Sequence, residues 1–231
     1  NNTEITDPMN IVNPFASFFQ KCYIPSNLSN VSDINSSSNC PSLLINSLSE
    51  QEVFSALRNM KNKTTAGPDG IPSFLLRDCA SVFAFPLSII FNLSLKSGVY
   101  PSIWKKSNIC PIYKKGDRHE IENYRPISLL CNFSKVFELL LYNNIANHVR
   151  PFISSQQHGF FKGRSIDSNL CCFTQYVSES FDAESQVDCV YMDLSKAFDR
   201  LDHFKLLKKL DSFGLSDALV KLFTSYLIGR T

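Results

Sequence analysis

The sequence predicts an α+β fold, mostly helical with a small antiparallel sheet. Three observations carry it. Apolar residues recur at helical spacing over most of the chain after Ser49. Short β-type runs flank one basic segment. Breaker-rich loops separate these elements instead of a regular strand–helix alternation.

The first confident element opens at "SEQEV". Ser49 sits at an N-cap position with Glu52 three residues on, the spacing of a capping box. Val53, Ala56, Leu57 and Met60 then fall on one helical face. "TTAGPDGIP" is a loop, with "GPDG" a tight turn. A second helix is predicted over 73–98, kinked or divided at Pro86 and stopped by Gly98. "SNICPIYKKGD", 107–117, reads as a strand running into a turn at Lys115-Gly116-Asp117. "YRPISLL", 124–130, leads into a helix through 134–149, with Val136, Leu139 and Leu140 on its apolar side.

Residues 154–165 form a Gly-punctuated loop, followed by a helix over 166–180. "DCVYMD", 188–193, reads as a strand ending on Asp193. An amphipathic helix follows, with Phe204, Leu207 and Leu210 inward and Gly214 past its end. Ser216 caps a last helix to about Tyr226. The first 48 residues are rich in Asn and Ser and read as a largely irregular linker. Within them "NPFASFFQKCYIP" is a short helix or a docking segment.

Composition sets bounds. The chain has 231 residues, 44% of them hydrophobic, enough for a core. Net charge is only +2, so any basic footprint is local. Residues 101–125 hold six cations against three carboxylates, more than the whole chain's excess. Eight cysteines occur without a C-x-x-C pair, which argues against zinc. Several lie in apolar runs, so buried free thiols in a reducing compartment are expected, inside the cell in nucleus or cytoplasm. Triplets such as Asn92-Leu93-Ser94 are then coincidental. No signal peptide is visible, and no stretch reaches the ~18 apolar residues of a membrane span. The chain starts at Asn1 and stops at Thr231 after "SYLIGRT", and reads as an excerpt from a longer polypeptide.

Five segments in order, "GPDGIP", "PIYKKGD", "NYRPISLL", "QQHGFFKGRS" and "VYMDLSKAFD", resemble the successive blocks of reverse transcriptases from non-LTR (LINE-type, jockey-like) retrotransposons. The resemblance covers about residues 50–231. It implies a right-hand polymerase, with fingers and a partial palm in this chain. The implied organisation is a linker over 1–48, a helical N-terminal extension over 49–100, and fingers with the first part of the palm over 101–231. The family's "GxPQG" block and "YADD" turn are absent here. An RNA-directed DNA polymerase present as an incomplete fragment is therefore expected, inactive alone. The alternatives are a non-catalytic nucleic-acid-binding fragment and an inactive relic of a mobile element. A hydrolase using Asp193 as nucleophile has no base or oxyanion-hole pattern to support it.

The resemblance implies roles residue by residue. Asp193 matches the family's first catalytic aspartate, holding Mg²⁺, of which the complete enzyme uses two ions; the carbonyl of Leu194 adds a ligand. Magnesium is hard and octahedral, which suits carboxylate, carbonyl, water and phosphate oxygens. Phe198 underlies the incoming sugar and excludes a 2′-hydroxyl, unless it is simply a core phenylalanine. Asp199 is read as structural, accepting hydrogen bonds at the next helix start.

Lys114 and Arg125 match the fingers residues that contact a deoxynucleoside triphosphate, with adjacent Lys115 a competing choice for the lysine. Gly159, Lys162, Gly163 and Arg164 imply template contact beside an ordinary basic loop as the alternative. The implied partners are an RNA template, a DNA primer and deoxynucleoside triphosphates, with no membrane.

Overall fold

The computed structural model describes residues 7–22, 40–194 and 196–230. The Asn/Ser-rich run at 25–38 lies outside them. The helices are α1 (Pro8–Cys22), α2 (Glu50–Arg58), α3 (Ser73–Asp78), α4 (Ala80–Ser97), α5 (Asn132–Val149), α6 (Ile166–Asp182), α7 (His203–Ser212) and α8 (Asp217–Leu227). Strands β1 (Ser107–Tyr113) and β2 (Tyr124–Leu130) form an antiparallel pair. The chain divides into two compact units. One comprises residues up to 148 together with those from 196 onward; the other is 149–195.

Helix α2 begins as its sequence dictates. Ser49 Oγ accepts from the Glu52 amide at 3.2 Å, and Glu52 accepts from the Ser49 amide at 2.8 Å. Two orphan donors of the first turn are thereby satisfied. Val53, Ala56 and Leu57 are buried on the predicted face.

The second helix divides at Cys79, not at Pro86. Pro86 lies inside α4, whose flank carrying Val82 and Phe85 is exposed. The carbonyl that proline cannot serve therefore has access to water, and the helix continues. By length and composition alone α4 is apolar enough to cross a bilayer, contrary to the reading of its sequence. Its Ala84, Leu87, Phe91 and Leu95 are nevertheless buried in the helical core. Gly98 ends α4 with φ +68° and its amide on the Ser94 carbonyl at 3.0 Å.

Aromatic rings hold α4 against α5. Phe91 stacks on Phe137 with centroids 4.6 Å apart and planes 6° from parallel. Tyr100 stacks beside Phe137 at 5.8 Å, and Trp104 closes edge-on to Phe91 at 5.8 Å. The Tyr100 hydroxyl shares a hydrogen bond with Ser134 at 2.8 Å and donates to Glu138 at 3.3 Å. Burial, reinforced by the charge of Glu138, pushes that hydroxyl's pKa up, so it remains a donor. Leu139, expected on the inward side of α5, is exposed.

Two close backbone approaches lock the loops. A Cβ on Gly67 would lie 2.5 Å from the Cys131 amide nitrogen, so only glycine lets the "GPDG" turn meet the β2–α5 junction. Asn132 secures the same junction, donating to the carbonyls of Ile71 at 2.7 Å and Thr65 at 3.2 Å. Residues 40–48 strap the other end. Leu43 bonds the Gly214 carbonyl at 2.7 Å and accepts from the Ser216 amide at 3.0 Å. Ser216 occupies the N-cap position of α8, but its hydroxyl makes no cap bond. The α7 cap is Asp202, which accepts from the Lys205 amide at 3.1 Å. The helix-start role expected of Asp199 belongs to Asp202.

Hydrogen bonds from Ser49 hold the Glu52 carboxyl below the usual glutamate range, the Ser49 amide contributing most. The folded pKa is depressed, so the stabilisation is complete above the ordinary glutamate value. It is lost as pH falls through that value and then through the lowered one. The stability difference between wild type and Glu52→Gln should therefore be largest near neutrality and shrink on acidification. Denaturant midpoints measured across the acid range check this.

Candidate nucleotide and metal site

The β1–β2 hairpin places the first two candidate side chains. Its register pairs Tyr113 with Tyr124, Ile112 with Arg125, and Pro111 with Pro126. The ladder extends one step, with the Lys114 amide donating to Asn123 at 2.8 Å. Paired residues share a face and faces alternate along each strand. Lys114, Ile112 and Arg125 therefore stand on one side, and Tyr113, Tyr124 and both prolines on the other. Lys115 falls off this register into the turn.

Lys114 and Arg125 are exposed, and their apolar neighbours Ile112 and Ile127 are 49% and 44% exposed. This face is open. The proline pair occupies a non-hydrogen-bonded position, since hydrogen-bonded pairs alternate from Lys114–Asn123. Each missing N–H thus points outward, and both edges resist further strand pairing.

The other face is braced. Tyr113 and Tyr124 meet edge-on at 5.7 Å, Arg118 lies over Tyr113 at 5.1 Å, and Phe15 of α1 meets Tyr124 edge-on at 5.0 Å. The turn is tied by Asn123, which donates to the Asp117 carbonyl at 2.8 Å, and by Tyr124, which donates to the Arg118 carbonyl at 2.9 Å. Gly116 at φ +96° passes so near Asn123 that a Cβ would lie 2.6 Å from its Nδ2. Sequence reading did not single out these braces. Tyr113 and Tyr124, flanking the turn at a hairpin's closing pair, were the available signal.

Phe198 belongs to the same unit. It lies in a turn closed by the Arg200 amide on the Lys196 carbonyl at 3.0 Å. Its ring is 79% exposed, so it is no part of the core.

Asp193 and Leu194 belong to the 149–195 unit. Here the structure corrects the sequence. Residues 187–194 form no strand, and Val190 and Met192 are 82% and 90% exposed. The reason is the ladder: among the described residues the sheet contains only β1 and β2. A lone extended segment has nothing to satisfy its amides except water. Tyr191 is likewise exposed, with its ring edge-on to Phe173 of α6 at 6.4 Å. Asp193 is exposed, and so is Leu194.

Among the described residues no three His, Cys, Asp or Glu side chains gather into a metal-binding group. The Asp193 carboxylate and Leu194 carbonyl are hard oxygen donors, the kind magnesium takes. By themselves they could offer only two of the roughly six oxygens it needs.

The loop before α6 has its own internal order. Arg164 donates to the Gln157 carbonyl at 2.6 Å and lies 4.5 Å from the Phe161 ring. Arg150 sits over the same ring at 5.0 Å. Arg164 is thus engaged within the loop, while Lys162 is exposed. Gly163 takes φ +88° with open space around it, and the Gly159 carbonyl accepts from Gln157 at 2.9 Å.

Thiols divide by environment. Cys131 is buried, and burial pushes its thiol up. Cys171, Cys172 and Cys189 are exposed, against the expectation of buried thiols.

The first unit thus carries a hairpin with two cations on one open face, and the second carries an exposed aspartate outside any strand. The reverse transcriptase (RNA-dependent DNA polymerase) family matches residues 112–230, more than half the chain. The chain belongs to this family, on its non-LTR retrotransposon branch. It is 30% identical over 172 residues, 73% of its length, to the probable RNA-directed DNA polymerase from transposon BS of Drosophila melanogaster. It is 29% identical over 182 residues, 78% of its length, to the probable RNA-directed DNA polymerase from transposon X-element of that species. It is 26% identical over 211 residues, 90% of its length, to the Pol polyprotein from type-1 retrotransposable element R1 of Bradysia coprophila. The aligned regions are 19%, 20% and 21% of these relatives, so the chain spans about a fifth of their length.

Thiol labelling tests the open 187–194 segment directly. In the native chain Cys189 should react with a maleimide as fast as an exposed model thiol, while Cys131 reacts only on unfolding. Protection of Cys189 equal to that of Cys131 would show a formed, buried strand instead.

Proposed function

We propose that this chain is the fingers and opening palm of a non-LTR retrotransposon's RNA-directed DNA polymerase, working within a longer protein by two-metal nucleotidyl transfer. The observation that carries this is the shared open face of Lys114 and Arg125, both of which fall in the family's matched region although most of β1 precedes it. A triphosphate presents several anionic oxygens. Arg125 suits two of them with its planar fork, and Lys114 adds a point charge alongside. The register favours Lys114 over Lys115 for this role.

Asp193 and Leu194 would hold magnesium, together with carboxylates from elsewhere in the longer protein. When bound, the metal neutralises charge on the phosphate oxygens and orients the attacking hydroxyl. The 188–193 segment gains the same requirement: it becomes a strand once a neighbouring strand pairs with it. Phe198, exposed in its turn, would lie under the incoming sugar, where a 2′-hydroxyl would collide with its ring. Lys162, with the glycines at 159 and 163, suits a template backbone, and Arg164 shapes the loop that presents them. An RNA template and DNA primer follow from this reading, as does an intracellular site of action without a membrane.

In the longer polymerase, Asp193→Asn should abolish primer extension while template affinity changes less than twofold. Extension at the wild-type rate would remove Asp193 from the site. Residues 1–231 alone should not extend a primer. In the same assay Lys114→Ala should raise the nucleotide KM at least tenfold, about 1.5–3 kcal/mol for a hydrogen bond to a charged group. Lys115→Ala should change it less than twofold. The reverse order would contradict the register argument.

A further inference from the structure

Helix α1 lies outside the matched residues 112–230 and outside every motif block. It nevertheless touches two of those blocks. Phe15, Phe18 and Phe19 share one face by their three- and four-residue spacing. Phe19 is buried, with its ring 5.7 Å from Phe15 and 5.8 Å from Phe18. Phe15 meets Tyr124 at 5.0 Å, on the braced face of the hairpin and next in sequence to Arg125. Phe18 lies under the Lys196 ammonium at 4.5 Å. Lys196 starts the turn that carries Phe198, and it holds φ +53°, a left-handed conformation unfavourable for lysine. A residue kept there needs its surroundings to hold it.

We propose that α1 is a strut, with Phe15 and Phe18 as positioning residues that fix the nucleotide-facing hairpin relative to the Phe198 turn. The physical basis is rigidity. Phe15 and Phe18 are separated by about 4.5 Å of helix rise, and the helix holds that spacing. The hairpin contact is ring on ring, and the turn contact is cation on ring, so each end is held by geometry-specific attraction. Pro14 just before Phe15 costs one helix hydrogen bond, and α1 persists with its aromatic face docked. Only the meaning of the spacing rests on the polymerase reading; the contacts do not.

The test has two arms. In residues 1–231, hydrogen exchange is followed at the Arg200 amide, which bonds Lys196, and at the Lys114 amide, which bonds Asn123. Phe18→Ala and Lys196→Met should speed exchange at Arg200 at least threefold, with Phe18→Tyr and Lys196→Arg restoring it. Phe15→Ala should do the same at Lys114. In the longer polymerase, Phe15→Ala and Phe18→Ala should raise the nucleotide KM about fivefold with kcat within twofold, and Phe18→Tyr should keep the wild-type KM.

Unchanged exchange in both alanine variants overturns the strut, whatever the enzyme does. Faster exchange with unchanged KM overturns the positioning role. A longer protein that incorporates no nucleotide, while exchange still responds, sinks the polymerase reading and leaves the strut standing.

Discussion

The two-residue alternation of the β1–β2 hairpin is the constraint on which the site depends. It assigns Lys114 and Arg125 to one surface and Tyr113 and Tyr124 to the other. A one-residue slip of either strand would turn that strand's side chains over and leave Lys114 and Arg125 on opposite faces. The outward prolines keep the pair two-stranded, and Asn123, Tyr124 and Gly116 hold the turn that closes it. Charge placement in this protein is therefore a consequence of backbone register before it is one of side-chain choice.

The hairpin is fixed to a core that tolerates little change. Its second strand runs directly into α5, and α5 is clamped to α4 by the stack of Phe91 on Phe137. At the junction the backbone of Gly67 comes too near for any side chain, and Asn132 ties down the loop that carries it. A phenylalanine-to-alanine change at such a stack typically costs about 3–5 kcal/mol. The "GPDG" block, read from sequence as a turn, is in structural terms the wedge under the β2–α5 connection.

Local rules made much of this legible. The Ser49–Glu52 capping box, the Gly98 stop and the Gly214 break are decided by neighbours within a few residues, and each appears where the sequence puts it. Readings that needed a distant partner fared differently. The proline signal at Pro86 was overridden because α4 buries one flank and leaves the other to water. The strand at 188–193 has strong β-type residues, but a strand exists only with a ladder beside it. Cap assignment missed as well: both Asp199 and Asp202 precede α7, and only the backbone geometry selects Asp202.

By itself the sequence determined the family, the identity of the candidate residues and the start and stop of most helices. Each is written in residue type and short-range order, and none of the three needs a third dimension to be read. Tertiary structure alone decided that Lys114 rather than Lys115 joins Arg125, that Phe198 is outside the core, and that α1 reaches both Tyr124 and Lys196. The face a pleat presents is set by pairing across the hairpin, and the α1 contacts are set by packing between residues more than a hundred positions apart.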